Sequence, residues 1–208
     1  MSPTSATIEQ YDSNAPSGKS TETATFALGC FWGPDARFGA LDGVIRTRVG
    51  YAGGTDIDPT YHDLGDHTEA FQVDYDPDVR SFESLLDLAF RGHDHTQQPS
   101  KRQYQHVVFA STAEQADVIA SYLKARGLTR EGIATRVEQL SAFHPAEDYH
   151  QKYSLRGRQS LLNSFEQAGY DDADLRESPA AAKLNGYAAG RDLPEGHDFG
   201  TSTTRTVH

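Results

Sequence analysis

Thr25-Phe26-Ala27-Leu28-Gly29-Cys30-Phe31-Trp32-Gly33 decides how the chain is organised around its single thiol. The short apolar run from Thr25 to Leu28 stops at Gly29 and reads as a buried strand. From Cys30 to Leu41 the residues Phe31, Phe38 and Leu41 recur at near-helical spacing, and Asp42-Gly43 supplies a stop signal. A strand therefore gives way to a helix at the cysteine. A thiol at that turn faces unpaired backbone N–H groups and the positive end of the helix dipole, so its pKa is expected to fall. The flanking glycines permit a tight bend and the approach of a ligand. Two large aromatics in succession are not both expected to point into a core, which leaves at least one to line a site.

Working outward, Val44 to Tyr51 reads as a strand ending at the turn Gly53-Gly54, followed by a loop over 52–68 rich in Gly, Asp, Pro and His. Glu69 to Tyr75 alternates, with Phe71, Val73 and Tyr75 on one face, the pattern of a half-buried strand. Phe82, Leu85, Leu86, Ala89 and Phe90 mark an amphipathic helix. A loop from Gly92 to about Gln103 leads to a strand over Gln105 to Ala110. Thr112-Ala113-Glu114-Gln115 resembles a capping box that opens a helix through Val118, Ile119, Tyr122 and Leu123. Ile133 to Leu140 is strand-like, and Leu155 to Ala168 holds a last helical pattern. Irregular alternation, with one pair of strands not separated by a helix, predicts an α+β fold. The expected form is a two-layer sandwich with a mixed, ferredoxin-like β-sheet and flanking helices. Residues 1–22 read as a flexible leader, 23–175 as the catalytic domain and 176–208 as a poorly packed C-terminal tail.

The composition narrows the function classes. The 208 residues are 37% hydrophobic and 24% charged, ordinary for a globular chain, and no apolar run reaches membrane-spanning length. The polar N-terminus lacks the apolar centre of a secretory signal, so a cytoplasmic setting is expected. A formal net charge of −11 repels phosphate backbones and anionic lipids, which argues against nucleic acid and membrane as partners. One cysteine cannot form an internal disulfide or, alone, a thiolate zinc site. A lone Cys is most often a small buried hydrophobe, and only its neighbours overturn that reading. The nine histidines fit no zinc spacing, even though His62, His67, His93 and His95 lie in neighbouring loops, so neither metal nor cofactor is expected.

Gly29-Cys30-Phe31-Trp32-Gly33 closely resembles the signature of the A-type peptide methionine sulfoxide reductases, which act on the S epimer of the sulfoxide. Six further blocks match that family in its order: Arg48 to Gly54, Asp58-Pro59-Thr60-Tyr61, His67-Thr68-Glu69, Tyr75-Asp76-Pro77, His93-Asp94 with Thr96-Gln97 and Gln103-Tyr104, and Phe143 to Gln151. The match covers roughly residues 24–155. The resemblance implies that Cys30 attacks the sulfoxide sulfur while Glu69 protonates the oxygen, a role for which a partly buried carboxyl of raised pKa is suited. It implies that Tyr61 and Tyr104 hydrogen-bond the oxygen as charge develops. Phe31 and Trp32 resemble the apolar cage for the methyl group on sulfur, with structural core as the competing role. His67, Asp148 and His150 fall in matched blocks and are expected to support the acid and the tyrosines through hydrogen bonds.

Attack leaves a sulfenic acid on Cys30. With no second cysteine among these residues, regeneration is expected from an external thiol, whether thioredoxin, glutaredoxin or a small thiol. Two loops depart from the family pattern. The run from His62 to Asp66 is short, and Gln98-Pro99-Ser100-Lys101-Arg102-Gln103 replaces a segment that commonly carries an Asp near the substrate; His144 also stands where Tyr is frequent. Lys101 and Arg102 read either as an exposed loop tip or as a preference for anionic substrates. Two alternatives follow: a divergent enzyme acting on another sulfoxide or sulfur substrate, and a weakly active redox-sensing or methionine-binding protein. Joint retention of Cys30, Glu69, Tyr61 and Tyr104 argues against the latter, because binding alone needs no acid.

Overall fold

In the computed structural model, which describes residues 3–16, 20–197 and 199, six strands form one mixed sheet. They are β1 (Glu22–Leu28), β2 (Val44–Ala52), β3 (Thr68–Tyr75), β4 (His106–Ala110), β5 (Arg136–Gln139) and β6 (Phe143–Pro145). Their spatial order is β5-β4-β1-β3-β2-β6, with β4 and β5 parallel and every other neighbouring pair antiparallel. The α+β reading with a mixed sheet therefore holds. Period-two alternation becomes a continuous apolar row: Val49 opposes Phe71, Phe71 opposes Phe26, Phe26 opposes Val108, and Val108 opposes Val137.

The helices are α1 (Ser5–Asn14), α2 (Trp32–Gly39), α3 (Phe82–Phe90), α4 (Ala113–Ala125), α5 (Tyr153–Arg156), α6 (Gln159–Gln167), α7 (Asp172–Glu177) and α8 (Pro179–Ala188). Phe38 of α2, Leu85 and Leu86 of α3, and Ile119 and Leu123 of α4 bury against the apolar row. Phe26 lies among the rings of Phe38, Phe71 and Phe82, with centroids about 6 Å away. The hydroxyl of Thr112 accepts the N–H of Gln115, which makes one half of the box read from the sequence, while the Gln115 side chain accepts from the Ser111 N–H at 2.9 Å. The opposite face of the sheet carries mostly small residues, Ala27, Ala52 and Ala70 beside Val107 and Phe109. The helical pattern from Leu155 to Ala168 is broken at Gly157-Arg158 into α5 and α6.

Both chain ends depart from expectation. The flexible leader fails for Ser5–Asn14, which is helical, capped by the Thr4 hydroxyl and anchored by fully buried Ile8. Asp12 of α1 accepts from the Tyr170 hydroxyl at 2.9 Å and from the Ala180 N–H at 2.7 Å. The poorly packed tail fails over α8. Nine of the ten α8 residues are buried, and Leu184 and Asn185 have no exposed surface. Residues 1–2, 17–19, 198 and 200–208 lie outside the described part of the chain.

The sequence reading missed α8 because the helix packs by smallness rather than by an apolar stripe. A Cβ added at Gly186 would stand 2.5 Å from the Ala40 Cβ and 2.7 Å from the Ala36 carbonyl oxygen; one added at Gly39 would stand 2.6 Å from the Ala182 oxygen. The backbones of α2 and α8 thus approach as closely as glycine permits. Between them the buried ammonium of Lys183 donates to the carbonyls of Gly39 (3.0 Å), Val44 (2.6 Å) and Leu41. Of these acceptors, Gly39 is the last residue of α2, whose carbonyl has no partner further along the helix.

This contact makes Gly186→Val destabilising by about 1–3 kcal/mol, the usual cost of overpacking, seen as a lower urea midpoint with an unchanged slope. An unaltered midpoint would show that α8 does not seat on α2 in this way.

Candidate active site

Gly29, in the left-handed region at φ +80°, turns the chain from β1 towards α2 and leaves Cys30 exposed at the corner. No side chain caps α2 from the position before it, because Phe31 stands there. The cap comes from across the sheet. Glu69 of β3 lies opposite Tyr51 in the ladder, and its Oε2 accepts the Phe31 N–H at 3.1 Å. Its other oxygen accepts the Gln103 side-chain N–H at 2.7 Å. Glu69 is 1% exposed. Burial raises its pKa, and the two hydrogen bonds only partly offset that.

The thiol behaves differently from the expectation of a lowered pKa. Desolvation raises the pKa of Cys30, the Trp32 N–H donated to its sulfur lowers it, and negative Glu69 raises it again; the result lies above the ordinary thiol. The helix N–H groups are present, but one is committed to the neighbouring carboxylate. Cys30 therefore keeps its proton to higher pH than an ordinary thiol does, beside a carboxyl that is raised as well.

The turn Arg102–Tyr104 presents two groups to the site at once, Gln103 inward to Glu69 and Tyr104 to the mouth. The Tyr104 hydroxyl is hydrogen-bonded with that of Tyr61; burial, this bond and the nearby Glu69 push its pKa up to about 12. Tyr61 is held by a carboxylate that the sequence reading did not single out. Glu147 accepts the Tyr61 N–H at 2.9 Å through one oxygen and the Tyr51 hydroxyl at 2.6 Å through the other. Burial would raise the Glu147 carboxyl, but these donors pull it below the usual range.

The aromatic wall is Trp32, half-buried, with Tyr153 stacked on it at 3.7 Å and 5°. Its indole N–H donates to His150 Nδ1 at 3.3 Å, and the buried imidazole also meets Tyr61 at 4.7 Å and Phe31 at 5.2 Å. Phe31 corrects the cage expectation: at 1% exposed, with its ring 6.2 Å from Tyr51, it belongs to the core. His67 is buried, but its Nε2 meets the Asp56 carbonyl at 2.8 Å and its ring faces His144, so it ties down the loop. Asp148 opens the turn Asp148–His150 with its side chain exposed, and its neighbour Glu147 is the group that holds the tyrosine. Arg102 is committed to the carbonyls of Asp66 and Gly53, while the Lys101 ammonium sits 5.0 Å from the Tyr104 ring. Among the described residues no group of three or more His, Cys, Asp or Glu is arranged to hold a metal ion, and no helix is long and apolar enough to cross a membrane.

Because Glu69 is one of the charges that raise the Cys30 thiol, Glu69→Gln moves the thiol titration to lower pH. Iodoacetamide labelling of the single cysteine against pH measures this. An unmoved midpoint would mean that the carboxylate and the thiol are not electrostatically coupled.

Residues 22–178 match the family model described as Peptide methionine sulfoxide reductase. A peptide methionine sulfoxide reductase of Drosophila melanogaster is 46% identical over 171 residues, covering 81% of this chain and 68% of that one. The peptide methionine sulfoxide reductase MsrA of Methanosarcina acetivorans is 40% identical over 163 residues, covering 71% and 86%. Among solved structures, methionine sulfoxide reductase A of Corynebacterium diphtheriae superposes with a TM-score of 0.57 at 31% identity, covering 68% of this chain and 77% of that one. Mxr1 of Saccharomyces cerevisiae in reduced form gives 0.58 at 29%, covering 69% and 88%. With an exposed thiol beside a buried acid, and a match over most of its length, the chain belongs to the A-type peptide methionine sulfoxide reductase family and is an oxidoreductase of that kind.

Proposed function

We propose that the protein reduces methionine-S-sulfoxide to methionine through a sulfenic acid on Cys30. The observation that carries this reading is the Glu69 carboxyl, desolvated, raised in pKa and bound to the N–H next to the nucleophile. A sulfoxide seated against Trp32 turns its sulfur to Cys30 and its oxygen to Glu69, Tyr61 and Tyr104. Cys30 Sγ bonds to the sulfoxide sulfur as the oxygen takes the Glu69 proton, and the thiol proton returns to Glu69. Hydroxyl then passes to Sγ as the S–S bond breaks, with its electron pair leaving on the thioether. The methionine sulfur gains two electrons and Cys30 loses two. The hydrogen-bonded tyrosine pair donates to the oxygen while charge builds on it.

Regeneration follows from the single cysteine. One external thiol attacks the sulfenic acid and releases water; a second attacks the mixed disulfide and frees Cys30. Thioredoxin, glutaredoxin and small thiols all supply that chemistry, and the expected cytoplasmic setting holds such thiols reduced. Lys101 over the Tyr104 ring favours a second reading in which the preferred sulfoxide carries a carboxylate close by, as free methionine sulfoxide does. For the scaffold, the antiparallel order β4-β1-β3-β2 supports a ferredoxin-like, two-layer unit within the 23–175 catalytic domain.

The test is turnover of both epimers, free and in a blocked peptide, with dithiothreitol as reductant. The S epimer is consumed, Cys30→Ser abolishes turnover, and Glu69→Gln lowers kcat by about 10²–10⁴, the range for losing a positioned acid. Enzyme treated with substrate alone gains the mass of one oxygen atom on Cys30. No consumption of the S epimer sinks the proposal, and equal rates on both epimers sink its stereochemical part.

A further inference from the structure

Helix α8 lies beyond residues 22–178, the stretch that matches the family model, yet it reaches the site's supporting layer. Its Asn185 is fully buried and uses both ends of its amide. Nδ2 donates to Asp35 Oδ2 at 2.8 Å, and Oδ1 accepts the Leu155 N–H at 3.0 Å. Asp35 is on α2, three residues after Trp32. Leu155 is on α5, two residues after Tyr153. One amide therefore joins the two short helices whose first residues, Trp32 and Tyr153, stack at 3.7 Å to form the aromatic wall.

The chemistry of the position is specific. Asp35 is buried, with its other oxygen taken by the Thr47 hydroxyl and the Lys152 ammonium 3.9 Å away. Its Oδ2 requires a donor, while the Leu155 N–H, in the first turn of α5, requires an acceptor. An apolar side chain supplies neither, and a carboxylate supplies only the acceptor while repelling Asp35. The amide satisfies both.

We propose that Asn185 is a positioning residue for substrate binding: it sets the Trp32–Tyr153 wall from behind, which makes the C-terminal helix part of the active-site framework. This rests on the reading that Trp32 contacts the substituent on the sulfoxide sulfur. Asn185 touches neither thiol nor acid, so its loss loosens binding and leaves the chemical step alone.

Trp32 is the single tryptophan of the chain, so its fluorescence reports the wall directly. The variants are Asn185→Ala and the isosteric Asn185→Asp, which keeps the acceptor and fills the same space. Ile119→Ala, in the core on α4, serves as a control for general loss of stability. Both Asn185 variants are expected to raise acrylamide quenching of Trp32 and to raise KM for the S-sulfoxide about tenfold, the equivalent of about one buried hydrogen bond, with kcat nearly unchanged. Ile119→Ala, equally destabilised, leaves both readouts at wild-type values. Adding Asp35→Asn to Asn185→Asp restores the donor–acceptor pair and brings KM and quenching back towards wild type. Should Asn185→Ala not fold, the isosteric variant and its exchange partner carry the comparison. Wild-type KM and quenching in a folded Asn185 variant overturn the proposal, as do equal changes in Ile119→Ala. If the wild type turns over no sulfoxide, the functional reading fails, and quenching alone still decides whether Asn185 sets the wall.

Discussion

The hydrogen bond from the Phe31 N–H to the carboxylate of Glu69 is the constraint around which the site is arranged. It ties the first turn of α2 to the start of β3 and so fixes where the thiol stands relative to Glu69. A helix that starts with Phe31 and Trp32 has no side-chain cap of its own, and an unpaired buried N–H costs about 1–3 kcal/mol. The protein meets that need with a group from another strand, which then has two uses. The same carboxyl caps the helix and, desolvated by its position, holds a proton beside the sulfur at higher pH than a solvated glutamate does.

This arrangement explains why the thiol is not an activated thiolate at rest. Partial desolvation and, less strongly, the Glu69 charge oppose the loss of its proton, and one donated N–H does not outweigh them. In sulfoxide reduction the oxygen requires a proton as much as the sulfur requires a nucleophile. A neutral thiol paired with a protonatable acid meets both needs without a standing charge separation in a desolvated corner. Glu147 holds the loop that bears Tyr61 against β2.

Behind the site the sheet is fastened to the C-terminal helices by charge as well as by packing. Arg48 of β2 forks onto Glu177 at 2.8 and 2.9 Å through Nε and reaches Asp74 at 3.0 Å; burial would raise the Glu177 carboxyl, but Arg48 and Arg176 hold it down at about 2. Lys183 and Asn185 extend the tie to both ends of α2. The helix that presents Cys30 is thus held at its start by Glu69, in its first turn by Asn185 through Asp35, and at its end by Lys183.

What the sequence alone determined was the local pattern and the identity of the chemistry. Alternation along Phe71, Val73 and Tyr75, the apolar face of Phe82 to Phe90 and the cap at Thr112 depend only on neighbours in the chain, so periodicity reveals them. The ordered motifs around Cys30, Tyr61, Glu69 and Tyr104 marked the family in the same way. Tertiary structure decided everything that depends on which residue meets which. It put Phe31 in the core and left Trp32 to form the wall, chose Glu147 over Asp148 as the tyrosine's partner, and turned His67 to a loop carbonyl. It also folded α1 and α8, whose sequences carry one buried isoleucine and a run of small residues in place of an apolar stripe. Close backbone approach and buried hydrogen bonds stabilise such helices, and neither leaves a period in the sequence. The thiol's raised pKa belongs to the same class, because desolvation by surroundings distant in sequence, with a smaller push from Glu69, outweighs the N–H of the local helix start.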